Sequence, residues 1–242
     1  MMHINWLLIG IGMTATVVLL FRDWRLTIPA LLLNYVALAL FLAEQQFVAP
    51  DMDLFGGIST LVVVKLITGM AVTFILSITA LTFSREYGLE NLDEFGMAEL
   101  RRAARAAQRQ MASQPFHVGD YIVPFWAGVL ALFASATLPY VYAIAPTPAA
   151  DFAWYWLVLT GVLTIATASD LLKIGLGLLL CASGIDMLYT AVVSTLKDGG
   201  LNVIPLALLS QFHILLALAI AYLCGLLYGR LKTLELNELY KR

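Results

Sequence analysis

The sequence predicts an all-α integral membrane protein of about seven transmembrane helices, arranged as two three-helix repeats joined by a linking helix. Three observations carry that expectation: apolar runs of bilayer length, the scarcity of charge within them, and the lopsided placement of basic residues around them. Of the 242 residues, 61% are hydrophobic and 12% charged, and the mean hydropathy is +0.88. That balance is too apolar for a soluble domain of this size. A helix needs about 20 residues to cross a hydrocarbon core of about 30 Å, whereas a barrel would show strands of about 10 alternating residues. Continuous apolar runs select the helical class.

Taken in order, the spans are expected at 4–21, 26–48, 56–83, 121–145, 152–168, 171–195 and 203–228. The first run has no basic leader and no small-residue cleavage site, and Arg22-Asp23-Trp24-Arg25 separates it from the next, so it reads as a retained helix. With the amino terminus outside, twelve basic residues fall on the cytoplasmic side: Arg22, Arg25, Arg85, Arg101, Arg102, Arg105, Arg109, Lys173, Arg230, Lys232, Lys241 and Arg242. Only Lys197 faces out, and Lys65 is left inside the membrane. The positive-inside rule then predicts a cell inner (plasma) membrane protein with a cytoplasmic carboxyl terminus. The turn Asp51-Met52-Asp53 and the loop Pro146-Thr147-Pro148 are expected outside.

The division that follows is 1–95 for the first three-helix repeat, 96–120 for a cytoplasmic amphipathic segment, 121–145 for the linking helix and 146–242 for the second repeat. In the amphipathic segment Met97, Leu100, Ala104, Ala107 and Met111 share one helical face and arginines fill the rest. Such a helix either lies on anionic headgroups or docks a peripheral cytoplasmic subunit. The repeat is read from two turns and two tails. Arg25 corresponds to Lys173, Leu92-Asp93-Glu94-Phe95 matches Leu236-Asn237-Glu238-Leu239, and Lys65 falls opposite His213. Parallel repeats of this kind recur in transporters.

Ionisable groups in a membrane cost roughly 2.5–3.5 kcal/mol each on insertion scales, so each needs a reason to be there. Lys65, Asp186 and His213 are expected at comparable depth in the outer half of the bilayer, as candidates for a proton or ion path. A lysine, a carboxylate and an imidazole near water exchange protons because burial and neighbouring charge move their protonation equilibria. The competing reading has Lys65 snorkelling to the interface and His213 as an ordinary hydrogen-bonding group. Glu44 is the remaining path candidate, although Gln45 and Gln46 place it at the interface, where it would be solvated. Asn34, Ser183 and Gln211 read as polar packing residues between helices, and Gly175, Gly177 and Gly184 as close-packing positions.

No cofactor or metal is expected. Cys181 and Cys224 stand singly in apolar runs without metal-ligand spacing, and GxGxxG, the Walker lysine loop, HExxH and a GxSxG in plausible context are absent. The formal net charge is −2 and no basic patch is interleaved with aromatics, so nucleic acid is not an expected partner.

The segments WRLTIPALLLNYVALALFLA, GGISTLVVVKLITGMAV, LLKIGLGLLLCASGIDMLYTA and LLYGRLKTLELNEL resemble the membrane E component of hydrogenase-4-type complexes. That family is similar to the K subunit of respiratory complex I and the C subunit of Mrp-type antiporters. The resemblance covers most of the chain outside 86–120. It implies a seven-span layout and a non-redox membrane subunit supporting proton or sodium translocation beside antiporter-like partners. It also matches Lys65 to the family's intramembrane lysine, and the stretch 182–186 to a polar glutamate-bearing segment. Two departures matter: Ala30 or a neighbouring apolar residue, and Ala182, stand where K-type subunits keep buried glutamates. Asp186 then either replaces the lost carboxylate or belongs to a subunit that is mainly a scaffold. The alternative function is a subunit of an Mrp-like cation/proton antiporter without a redox arm, or a structural membrane protein.

Overall fold

The structure is a computed structural model describing residues 5–45, 47, 53–55, 58–89, 119–195 and 203–231. Among these, seven helices form: α1 (Trp6–Leu20), α2 (Trp24–Glu44), α3 (Thr60–Leu89), α4 (Gly119–Val141), α5 (Pro148–Ala166), α6 (Leu171–Thr195) and α7 (Val203–Leu231). Between α2 and α3, β1 (Asp53–Phe55) pairs antiparallel with β2 (Ile58–Ser59). Six helices are long and apolar enough to cross a bilayer, and α1 is a shorter apolar one of 15 residues. The chain is an all-α, multi-pass membrane protein of about seven helices.

Local chemistry sets the ends. Asn5 caps α1 by accepting from the amides of Leu7 and Leu8, and Asp23 caps α2 by accepting from Arg25 N. The fifth helix starts at 148, four residues before the expected 152. Thr147 is its N-cap, Pro148 fits the first turn where no amide partner is needed, and Asp151 lies in that turn. Asp151 is also buried, and its Oδ1 accepts from Ile144 N, Ala145 N and Trp154 Nε1 at 3.1, 2.8 and 3.1 Å. One carboxylate thus fastens the α4–α5 connection to the helix that follows it. Within the spans, hydroxyls such as Thr14, Thr73, Ser135 and Thr164 donate to carbonyls of the preceding turn, so they need no partner in the hydrocarbon.

The helices pack as two rows. In one, α1 lies on α2 and α2 on α3; in the other, α5 lies on α6 and α6 on α7. The rows face each other in the same order, α1 against α5, α2 against α6 and α3 against α7, while α4 leans on α5 and α1. The core fills the space between them, with Leu31, Leu38, Phe41, Leu76, Leu157 and Leu179 fully buried. Only 17% of α4's span is buried, against 61% of α6's. The linking helix is therefore peripheral, and α6 is central.

Glycine sets the tightest contact. A Cβ on Gly161 would come within 2.7 Å of Gly177 O, and one on Gly177 within 2.7 Å of Gly161 O, so α5 and α6 approach backbone to backbone. Added at Gly175 it would meet Ile220, and at Gly184 Val158. All three glycines of the α6 sequence are close-packing positions.

The amphipathic segment expected at 96–120 lies outside the described residues except at its last two positions. The matching tails at 92–95 and 236–239, Lys197 and Gln46 also lie outside them.

Candidate functional site

At mid-bundle four helices contribute polar side chains to one place. Tyr35 lies nine residues from the end of α2, Asp186 nine from the end of α6, and His213 ten from the start of α7. At 1.5 Å per residue these positions are about 14–15 Å from the same end of the bundle. Lys65 is the sixth residue of α3, nearer that end, and spans the difference with its four-carbon stem. Its Nζ donates to Asp186 Oδ2 in an ion pair buried on both sides.

Lys65 is 1% exposed, which is incompatible with an ammonium that snorkels to a surface. The ion pair joins the two rows. On α6, Ser183 stands three residues before Asp186 on the same face, and both are buried. On α7, His213 Nδ1 lies 2.8 Å from Leu209 O, within electrostatic reach of both Asp186 and Lys65. The Tyr35 ring meets the His213 ring edge-on, with centroids 5.8 Å apart and planes at 77°. Tyr35 also lies beside Ser183 and within reach of Asp186. Gly69, one turn after Lys65, makes room for it, since a Cβ there would come within 2.7 Å of Tyr35 Cβ. Lys65, Asp186, Ser183, His213 and Tyr35 are thus one cluster.

Two atoms of this cluster are buried without a hydrogen-bond partner among the described residues, Asp186 Oδ1 and His213 Nε2, while the Tyr35 and Ser183 hydroxyls are each other's neighbours. Unpaired polar atoms in a dry interior cost about 1–3 kcal/mol each, so their convergence on one buried place is characteristic of a site. The charge count is simple. One ammonium balances one carboxylate, and the cluster is neutral while the imidazole is neutral.

The remaining candidates lie elsewhere. Glu44 is exposed at the last position of α2. Asn34 is buried and ties α2 to α1, donating to Thr14 Oγ1 at 2.9 Å and Ile11 O at 3.4 Å. Gln211 is exposed. It sits two residues from buried His213 and so faces away from the cluster. No group of three histidine, cysteine or acidic side chains able to hold a metal occurs among the described residues.

Besides Asp151, the buried polar groups Tyr35 and Lys173 escaped the sequence reading. Tyr35 was hidden because tyrosine ordinarily marks an interface; its place in the middle of a span, directly after Asn34, was the available signal. Lys173 reads as a cytoplasmic loop charge, yet it is buried, and its Nζ donates to Leu19 O at 2.9 Å across α6 and α1.

Fold and site together define a class: a multi-pass helical membrane protein holding a buried, charge-neutral polar cluster between two rows of helices. No protein-family model, curated protein or solved structure matches the chain. The likeness to the hydrogenase-4 E component rests on its sequence segments alone.

Proposed function

We propose that the chain is a non-redox membrane subunit of a complex I-like or group 4 hydrogenase-like assembly, in which it supports coupled proton or sodium translocation. The observation that carries this is the Lys65–Asp186 pair, buried between α3 and α6. A structural role alone accounts poorly for it, because a buried ion pair is often no more stabilising than apolar residues of the same volume. Charged residues within membrane spans characteristically mark ion and proton paths. The resemblance to the E component supplies the context, with antiporter-like subunits as partners. The basic residues support an amino terminus outside and a cytoplasmic carboxyl terminus in the plasma membrane.

The test is proton or sodium uptake by the reconstituted complex, normalised to assembled subunit. Lys65→Met and Asp186→Asn should each abolish most coupled uptake. Either change alone leaves a buried charge unpaired at about 3–5 kcal/mol, so Lys65→Met combined with Asp186→Asn, which removes both charges, separates coupling from assembly. Normal coupling in an assembled double variant rejects an ion-carrying role and leaves the subunit a scaffold. Nickel or iron–sulfur subunits copurifying in mild detergent support the redox assembly; a cation antiporter without them supports the Mrp-like alternative.

A further inference from the structure

In the centre of the bundle one carboxylate serves two bases. Asp186 is paired with Lys65 and lies within electrostatic reach of His213, whose surroundings fix its tautomer. Leu209 O, 2.8 Å from Nδ1, can only accept a hydrogen bond. Nδ1 therefore carries the hydrogen, and Nε2 of the neutral ring keeps a lone pair. That nitrogen has no partner among the described residues, and neither has the second oxygen of Asp186.

Resting on the ion-coupling reading, we propose that the ion carried here is the proton, and that it moves by exchange between Lys65 and His213 across the single carboxylate of Asp186. In the first state Lys65 is an ammonium and His213 is neutral. A hydronium ion reaching His213 Nε2 gives up a proton, which forms a new N–H bond and makes an imidazolium, while Lys65 Nζ breaks one N–H bond, passes that proton to a water oxygen and becomes an amine. Asp186 stays a carboxylate throughout. One proton enters and one leaves, no electrons move, and the cluster is neutral before and after, as a low-dielectric interior requires. Tyr35 is a positioning residue: its ring holds the imidazole edge-on, and its hydroxyl lies beside that of Ser183. The second competitor for the carboxylate is a nitrogen base, which takes a proton, whereas a hard cation such as sodium would have to use the oxygens of Asp186, Ser183 and Tyr35; a sodium titration separates the two.

The experiment uses the full chain, labelled with nitrogen-15 histidine and carbon-13 aspartate, in phosphatidylcholine–phosphatidylglycerol nanodiscs at neutral pH. The chain has three histidines, His3, His117 and His213, so His213→Gln assigns the resonance by deleting it. In the unaltered protein His213 should be neutral with the hydrogen on Nδ1. In Lys65→Met the ring should become doubly protonated, because it is then the base left to balance Asp186, whereas Lys65→Arg should keep it neutral. A neutral His213 in Lys65→Met overturns the proposal. So does a sodium-induced shift of the Asp186 carboxylate resonance at fixed pH in the unaltered chain, a measurement that needs no variant to fold. If the exchange fails while Lys65→Met still uncouples the complex, the ion-coupling reading stands with another carrier. If His213 takes the proton and coupling is untouched in the assembled double variant, that reading falls and the exchange site remains.

Discussion

Lys173 and Arg25 occupy corresponding places in the sequence, each near the start of the middle helix of a three-helix unit, but their physical roles differ. Arg25 is exposed, with its guanidinium 5.7 Å from the Trp24 ring centroid. Lys173 is buried and donates to Leu19 O in the last turn of α1, where carbonyls lack amide partners and a positive charge opposes the negative end of the helix dipole. Lys173→Met should therefore lower stability by about 1–2 kcal/mol, read as a lower thermal unfolding temperature in detergent. Arg25→Met should stay within about 0.5 kcal/mol of the unaltered protein. Equal behaviour of the two variants would remove the clamp. Residue type and position in the sequence could not separate them, because only the arrival of α1 beside α6 decides which one is covered. Lys65 and Asp186 were easier to find, since an ionisable group deep in an apolar run needs a partner whatever the fold, and one carboxylate was available at matching depth.

Among the elements, apolar length located all seven helices, while the ends were decided by chemistry that hydropathy does not register. Thr147, Pro148 and Asp151 draw the start of α5 outward, and α2 stops at Glu44 with Gln45 as its C-cap. The α5–α6 contact was partly legible, because Gly175, Gly177 and Gly184 recur on one helix; its other half, Gly161, stands alone in α5. Gly177→Val should be severely destabilising, because the side chain would meet both Gly161 O and Ile165 at 2.7 Å, and backbone cannot move aside as a flexible side chain does. The expected cost is about 1–3 kcal/mol or more, visible as reduced folded yield and a lower unfolding temperature. Gly12→Ala in α1 is the control, since nothing lies within 4 Å of its added Cβ. Comparable losses from both would indicate a general intolerance of glycine replacement rather than this contact.

For the whole molecule, the number of crossings decides where the amino terminus lies, and α1 is the element on which the count turns. At 15 residues it is about 22 Å long, shorter than a hydrocarbon core of about 30 Å. Its contacts nevertheless run along most of its own length, to α6 and to α2. Leu19 meets Lys173 at one end, Asn34 reaches Ile11 and Thr14 along the way, and Gly10 lies opposite Ala37. Trp6, 75% exposed, stands at the first position, where an indole commonly sits at a membrane interface. Asn5 satisfies two of the amides that the helix start would otherwise leave bare, which makes a short span tolerable. We therefore expect α1 to cross. A reporter fused before Met1 should be external, one inserted near Pro146 external, and one after Arg242 cytoplasmic. The last two positions are expected from the basic residues flanking α2 to α7 whether or not α1 crosses, so they test the orientation alone. A cytoplasmic reporter at Met1 with the other two as expected would make α1 a re-entrant or interfacial helix and reduce the protein to six spans. Reversal of the latter pair would instead overturn the orientation inferred from the twelve basic residues.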